Sequence, residues 1–202
     1  MKALKLLPFI LLYSCGGTSN GTDTVNQGSL GASPYITVDS GNLSPSGMGI
    51  KGQGAVAFKN SVGEIGARKS YSITFSLDDG GSLTLVANAD ETLKNGVEVK
   101  FTRTGNSVAA AMLADSKTSA AKNFPSISGA QQITLTVDIH NNEVPAHILI
   151  WSGNDFTSGN ALLNSETDDA APGQGRGTFW GLKLNQATVT DAVVGAPKFV
   201  GE

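Results

Sequence analysis

The sequence predicts an all-β protein: an antiparallel sandwich of two packed sheets. Three observations point there. Apolar and polar residues alternate with period two in three separate stretches, Gly and Asn punctuate the gaps between them, and helical periodicity is almost absent. Alternation rich in β-branched residues marks half-buried strands. Many short strands joined by hairpin turns need a second sheet to cover their apolar face.

In chain order, Tyr35–Asp39 and Ala55–Lys59 are the first strand candidates. Between them, Gly47-Met48-Gly49-Ile50-Lys51-Gly52 matches the letters of the dinucleotide pattern G-x-G-x-x-G. That motif needs a strand before it and a helix after it. A strand-like Ala55–Phe58 follows instead, so a Gly-rich loop is expected. Tyr71, Ile73, Phe75 and Leu77 then alternate with serines and a threonine, and Asp78-Asp79-Gly80-Gly81 is expected to turn the chain into Ser82–Ala87. Val97, Val99 and Phe101 alternate with Glu98, Lys100 and Thr102. Gly105-Asn106 supplies the next turn, since both residues accept the positive φ of tight hairpins. Ser107–Leu113 follows, with Val108, Ala110 and Met112 facing inward, and Asp115–Asn123 is expected as loop or one helical turn. Ile133, Leu135, Val137 and Ile139 form the third clear alternation, turned at Asn141-Asn142 into Ala146–Ser152. A long loop, Gly153 to Gly177, carries a short turn near Ala161–Asn164, and Thr178–Leu184 and Ala187–Val194 complete about ten strands.

Composition excludes several classes. Only 15% of the 202 residues are charged, the net charge is −3, and no basic block occurs. A nucleic-acid binder with a basic footprint is therefore not expected. A single cysteine rules out a disulfide within the chain. No apolar run reaches the roughly 18 residues of a membrane-spanning helix. No internal repeat of 20–50 residues stands out, which disfavours solenoids and propellers.

The first residues, MKALKLLPFILLYSC, place Lys2 and Lys5 before a short apolar run, Leu6 to Leu12. This is the layout of a secretory signal. Leu12-Tyr13-Ser14-Cys15 resembles the lipobox of bacterial lipoproteins, with Tyr13 where the family prefers a small or β-branched residue. The resemblance implies a diacylglycerol on the Cys15 thiol, cleavage before it, and acylation of the new amino group. Two or more acyl chains anchor stably where one does not. Gly16, rather than Asp, follows the cysteine, which in Gram-negative lipoproteins implies the outer membrane. Cleavage removes Lys2 and Lys5 and takes the net charge from −3 to −5. Gly16 to Ser33 holds too little apolar surface to fold and reads as a tether with a reach of about 20–25 Å. The expected organisation is a signal peptide over 1–14, the lipidated cysteine and tether over 15–33, and a β-sandwich over 34–202.

Three stretches of the sandwich resemble a concanavalin A-like (laminin G-like) jelly roll. They are Tyr71–Leu77 with Gly81–Leu85 and Gly96–Arg103; Gln132–Ile139 with Asn141-Asn142 and Val144; and Gly181-Leu182-Lys183-Leu184 with Ala187-Thr188-Val189-Thr190-Asp191. Some members of that superfamily are glucanases with Glu-x-Asp-x-Glu or Glu-x-Asp-x-x-Glu on one strand, where alternate residues share a face. The nearest stretch here is Glu166-Thr167-Asp168-Asp169, which lacks the second Glu and precedes Pro172-Gly173. Such domains also often hold a structural calcium through loop oxygens, for which Asp155, Asp168 and Asp169 are the candidate ligands. His140 and His147 flank a hairpin and, with Glu143, are too few for structural zinc, so a surface hairpin is expected. Trp151 and Trp180 are the two tryptophans; either both are buried, or one of them rims a sugar-binding groove with Arg176. The functional expectation is a lipid-anchored, non-catalytic cell-envelope protein. It binds a glycan or another envelope component; the alternatives are a glycoside hydrolase of the same fold and a structural surface subunit with a protein partner.

Overall fold

The structure, a computed structural model, describes residues 36–46, 49–58, 68–114, 117–118, 122–128, 131–141, 146–153, 161–165 and 175–195. The predicted signal, Cys15 and the tether lie outside them. Every regular element among the described residues is a strand: β1 (Ile36–Ser46), β2 (Gly49–Phe58), β3 (Arg68–Ala89), β4 (Val97–Thr104), β5 (Ser107–Ala114), β6 (Lys117–Thr118), β7 (Lys122–Ser128), β8 (Ile133–His140), β9 (His147–Ser152), β10 (Leu163–Asn164) and β11 (Phe179–Gly195). All pairings are antiparallel. The predicted all-β sandwich is what the chain forms.

Two long strands organise it. β3 runs for 22 residues and β11 for 17, and they pair along their whole shared length, from Phe179↔Ala89 to Gly195↔Ser70. On its other edge β3 changes partner: its first part pairs with β8, from Arg68↔His140 to Phe75↔Ile133, and its last part with β4, from Ser82↔Thr102 to Ala87↔Val97. The β3–β11 ladder therefore belongs to two layers. The first contains 82–89 of β3, 179–185 of β11, β4, β5, β6 and β7; the second contains 68–77 of β3, 187–195 of β11, β8, β9 and β10.

Ring contacts show that the layers face each other. Trp180 and Tyr71 lie at opposite ends of the ladder, since Tyr71 pairs with Val194. A straight strand from residue 180 to 194 would span about 46 Å. Yet the two ring centroids are 5.5 Å apart, and Phe75 and Phe101 meet at 5.5 Å across the same interior. The ladder doubles over. The inward sets Tyr71/Ile73/Phe75/Leu77, Val97/Val99/Phe101, Val108/Ala110/Met112, Leu135/Val137/Ile139 and Trp180/Leu182/Leu184 fill one core.

The place of doubling corrects the sequence reading. Asp78-Asp79-Gly80-Gly81 is not a hairpin turn but a four-residue bulge inside β3, because the residues on both sides pair with β11 rather than with each other. Opposite it, Gln186 is skipped in the pairing and takes φ 52°. Gly80 sits at φ 74°, and a Cβ on Gly81 would lie 2.5 Å from the Gln186 carbonyl oxygen. The two strands predicted at Thr178–Leu184 and Ala187–Val194 are consequently one strand, kinked at Gln186. Gly49 to Gly52 is not loop either; it belongs to β2, paired with β1 on one side and β11 on the other. The loop or helical turn expected at Asp115–Asn123 includes β6 and the start of β7, each paired with β5. Gly105-Asn106 makes the hairpin expected of it, joining Thr104↔Ser107.

Alternation dictates that Trp180 and its neighbour Phe179 behave differently. Trp180 stacks on Phe58 with centroids 3.8 Å apart and is fully buried, whereas Phe179 is partly exposed. Trp180→Ala is expected to lower unfolding free energy by about 3–5 kcal/mol, and Phe179→Ala by about 1 kcal/mol or less. Urea denaturation of both variants checks this. Equal losses would contradict the inward–outward assignment.

Candidate functional site

Neither tryptophan offers a sugar-stacking face. Trp180 points into the core, and Trp151, on the outward side of β9 beside Thr136, is also fully buried. Of the two readings open in the sequence, the structure has both tryptophans buried rather than one at a groove rim with Arg176. Trp180 turns inward because Leu182 and Leu184 share its side of the strand. Arg176 is exposed, and its amide donates to the Asn95 carbonyl at 3.1 Å. Asp155, Asp168, Asp169 and the Glu166–Asp169 stretch lie outside the described residues. Among the described residues, no group of three or more His, Cys, Asp or Glu is placed to hold a metal ion.

The histidines are not on a surface hairpin. His140 and His147 pair across β8 and β9, both buried, with ring centroids 5.0 Å apart in an edge-to-face arrangement. Arg68 Nη2 lies 2.9 Å from His140 Nδ1 and 3.2 Å from its Nε2, with the guanidinium as donor. His147 Nε2 lies 3.0 Å from Asn164 Oδ1, and Ile148 N donates to Ser165 Oγ at 2.8 Å. The Asn141 side chain binds both backbone groups of Gly175, donating to its oxygen at 2.9 Å and accepting from its nitrogen at 2.8 Å. This cluster closes one end of the sandwich. It ties β8, β9 and β10 to the segment that enters β11.

Gln53, Asn185, Lys100, Lys183, Glu98 and Thr102 are exposed or partly exposed on the outward face of the first layer, with Ser82 and Thr84 buried between them. Strand register sets them in ranks that cross β2, β11, β3, β4 and β5. One rank reads Gln53, Asn185, Ser82, Thr102 and Ala109. The next reads Ala55, Lys183, Thr84, Lys100 and Ala111, and the third Ala57, Gly181, Val86, Glu98 and Leu113. Lys183 donates from Nζ to Glu98 Oε1 at 2.5 Å, joining the second rank to the third, and both side chains remain partly exposed. Gln53, Asn185 and Lys100 are exposed. The residues between them are small, so the long side chains stand over a floor of Ala, Ser and Thr.

A loop walls one end of this face. Leu93, at φ 56°, is buried over Ala55, Ala57, Val86 and Ala89. A Cβ on Gly181 would meet the Val56 carbonyl oxygen of β2 and then Leu93 Cδ1, so glycine suits the close backbone approach there. Asp90 holds the loop's shape. Its Oδ1 accepts from the amides of Thr92 and Lys94 at 2.9 and 3.0 Å and from the Thr92 hydroxyl at 2.7 Å, and Oδ2 accepts from Asn95 Nδ2 at 3.1 Å. The Lys94 amide and the Thr92 hydroxyl hold the Asp90 carboxyl below the usual aspartate range. Elsewhere, partial burial raises the Asp191 carboxyl and full burial raises the Tyr71 phenol.

Sequence reading identified Glu98, Lys100 and Thr102 only as the polar half of an alternation, and Lys183 only as part of a motif. Parity was available from each strand. The ranks depend on register between strands distant in sequence, and no local signal supplies that.

No family model matches the sequence, and no curated protein sequence does either. Solved structures do resemble it. The chain is similar to the carbohydrate-binding module CBM66 from Bacillus subtilis (15% identity over 81% of this chain and 93% of that one, TM-score 0.52). It is similar to the β-glucanase of Bacillus licheniformis (9% identity, 87% and 96%, TM-score 0.55). It also resembles the carbohydrate recognition domain of Emp46p in a potassium-bound form (12% identity, 82% and 90%, TM-score 0.53). At these identities the likeness is one of fold. The chain has the concanavalin A-like jelly-roll architecture that its sequence resembles.

The Asp90 loop makes a pH prediction. A carboxyl whose pKa is lowered on folding contributes stability that is fully present above its unfolded pKa and lost as pH falls through the folded value. Asp90→Asn is expected to speed amide exchange over 92–95 at neutral pH by about tenfold. The difference from the parent chain is expected to shrink as pH drops below the aspartate range. A difference that persists undiminished in acid would contradict the carboxylate's role.

Proposed function

We propose that this protein is a lipid-anchored, non-catalytic component of a bacterial cell envelope that binds glycan through the outward face of its first layer. The observation that carries the reading is the face itself. Amide, hydroxyl, ammonium and carboxylate groups stand in register over small residues, with a loop closing one end. Such groups match the donors and acceptors of sugar hydroxyls. The names of the similar structures favour the same class, since one is a carbohydrate-binding module and another a carbohydrate recognition domain.

A retaining hydrolase needs two carboxylates about 5–5.5 Å apart. Among the described residues the three ranks carry one, Glu98, and its oxygen accepts from Lys183. This favours binding over cleavage at this face. The anchor rests on Cys15 and the leader before it, and Gly16 directs the reading to the outer membrane.

The full-length chain is expected to fractionate with membranes and to be retained on at least one immobilised envelope polysaccharide without releasing reducing ends. Cys15→Ser is expected to move it to the soluble fraction with its strand-rich circular dichroism unchanged. Membrane retention of that variant would contradict the anchor. Release of reducing ends would contradict the non-catalytic reading, and failure to bind any polysaccharide would contradict the glycan reading.

A further inference from the structure

We propose that Lys183, Thr84 and Lys100 form a subsite for an anionic group, a carboxylate or a phosphate, carried by the bound glycan. The proposal rests on the glycan reading above and names the class of sugar that the face selects.

Register places the three residues side by side on adjacent strands, Lys183↔Thr84 on β11 and β3, and Thr84↔Lys100 on β3 and β4. Neighbouring strands lie about 4.8 Å apart, so the two lysine backbones flank Thr84 at a separation of about 9.6 Å. Their flexible four-carbon stems allow both ammonium groups to converge over the threonine hydroxyl. Ala55 and Ala111 bound the rank on either side; Ala55 is packed with Leu93 and Thr84 is largely covered, whereas Ala111 is partly exposed and Lys100 exposed, so the rank opens to solvent on the Lys100 side.

Charge balance points to an anion. Like charges on one sheet face repel unless a counter-charge lies near them. Glu98 supplies one such charge and takes it from the neighbouring rank, holding Lys183 by its Nζ. Lys100 is exposed, and among the described residues its ammonium has no ion pair or hydrogen bond. The pair thus carries one excess positive charge on the surface of a chain whose net charge is −3. An anionic group above Thr84 would accept from Lys100 and from the donors of Lys183 that Glu98 does not use. Charge-assisted hydrogen bonds of this kind are roughly twice as strong as neutral ones.

Among the described residues, no tryptophan offers this face the usual stacking platform. Both tryptophans are buried elsewhere. Phe179, at the end near the loop, is the one aromatic that the described part of β11 turns outward. Selection therefore falls to charge and hydrogen bonding rather than to stacking on a sugar ring.

The test measures affinity of the full-length chain, in detergent, for polygalacturonate, phosphorylated mannan, neutral mannan and polyglutamate at low and high salt. At least one acidic glycan is expected to bind about tenfold more tightly than neutral mannan, with the advantage falling as salt rises. Lys100→Gln is expected to bring that ratio close to one, while Lys51→Gln, outside the ranks, leaves it in place. Polygalacturonate against phosphorylated mannan distinguishes a carboxylate from a phosphate. Equal binding of acidic and neutral glycans overturns the subsite but leaves the glycan reading intact. Equal binding of polyglutamate also overturns it, because charge alone then explains retention. Binding to none of the polymers overturns both.

Discussion

One geometric constraint governs this molecule: the ladder between β3 and β11 is continuous, and it doubles back on itself. A ladder of that length left straight would expose an apolar side along its entire run. Bending at Asp78–Gly81 and Gln186 turns that side against itself. Tyr71 then reaches Trp180, and Phe75 reaches Phe101, across a single interior. β2, which pairs with β11 on both sides of Gln186, spans the same bend. Strands β4 to β7 and β8 to β10 extend the two layers outward from this spine.

The location of function follows from the same bend. Because both strands keep one side toward the interior, every second residue is committed to the core, and the rest are distributed over two outward faces. On the first layer the outward set includes Lys183, Thr84, Lys100, Glu98, Asn185 and Gln53. On the second layer His140, Asn141 and His147 near the strand ends are buried instead, held by Arg68, the Gly175 backbone and Asn164 respectively. Buried polar groups of that kind are costly unless paired. Their pairing explains why two histidines, so suggestive in sequence, serve to close an end of the sandwich. The loop at Asp90–Gly96 does a related job on the first layer, packing Leu93 with Ala55, Ala57 and Val86 of the second and third ranks while Gln53, Asn185 and Lys100 stay exposed.

The fold class was legible because alternation is a local property. Tyr71–Leu77, Val97–Phe101 and Ile133–Ile139 each announce a strand and its buried side without reference to the rest of the chain. The bend was not legible. Asp-Asp-Gly-Gly has the chemistry of a hairpin turn and of a bulge alike, and the outcome depends on whether the flanking strands bond to each other or to a third strand more than a hundred residues away. β11 misled for a related reason. Its inward residues are Trp180, Leu182 and Leu184, then Ala187 and Val189, then Ala192 and Val194, with parity switching at Gln186 and again at Thr190. A strand whose alternation breaks twice reads as separate pieces. The site was hidden more deeply still. Tryptophan is the residue expected at a sugar groove, but strand parity sent Trp180 inward and Phe179 outward. Lys183, Thr84 and Lys100 are unremarkable in sequence until register aligns them.

The doubled ladder is tested most directly by nuclear Overhauser contacts between aromatic rings in the folded protein. Doubling predicts cross-peaks from the Tyr71 ring to the Trp180 indole, although these residues sit at far ends of the same pair of strands. Their absence, with the β3–β11 backbone contacts present along the full length of the ladder, would mean that the strands run straight and that the two-layer account is wrong.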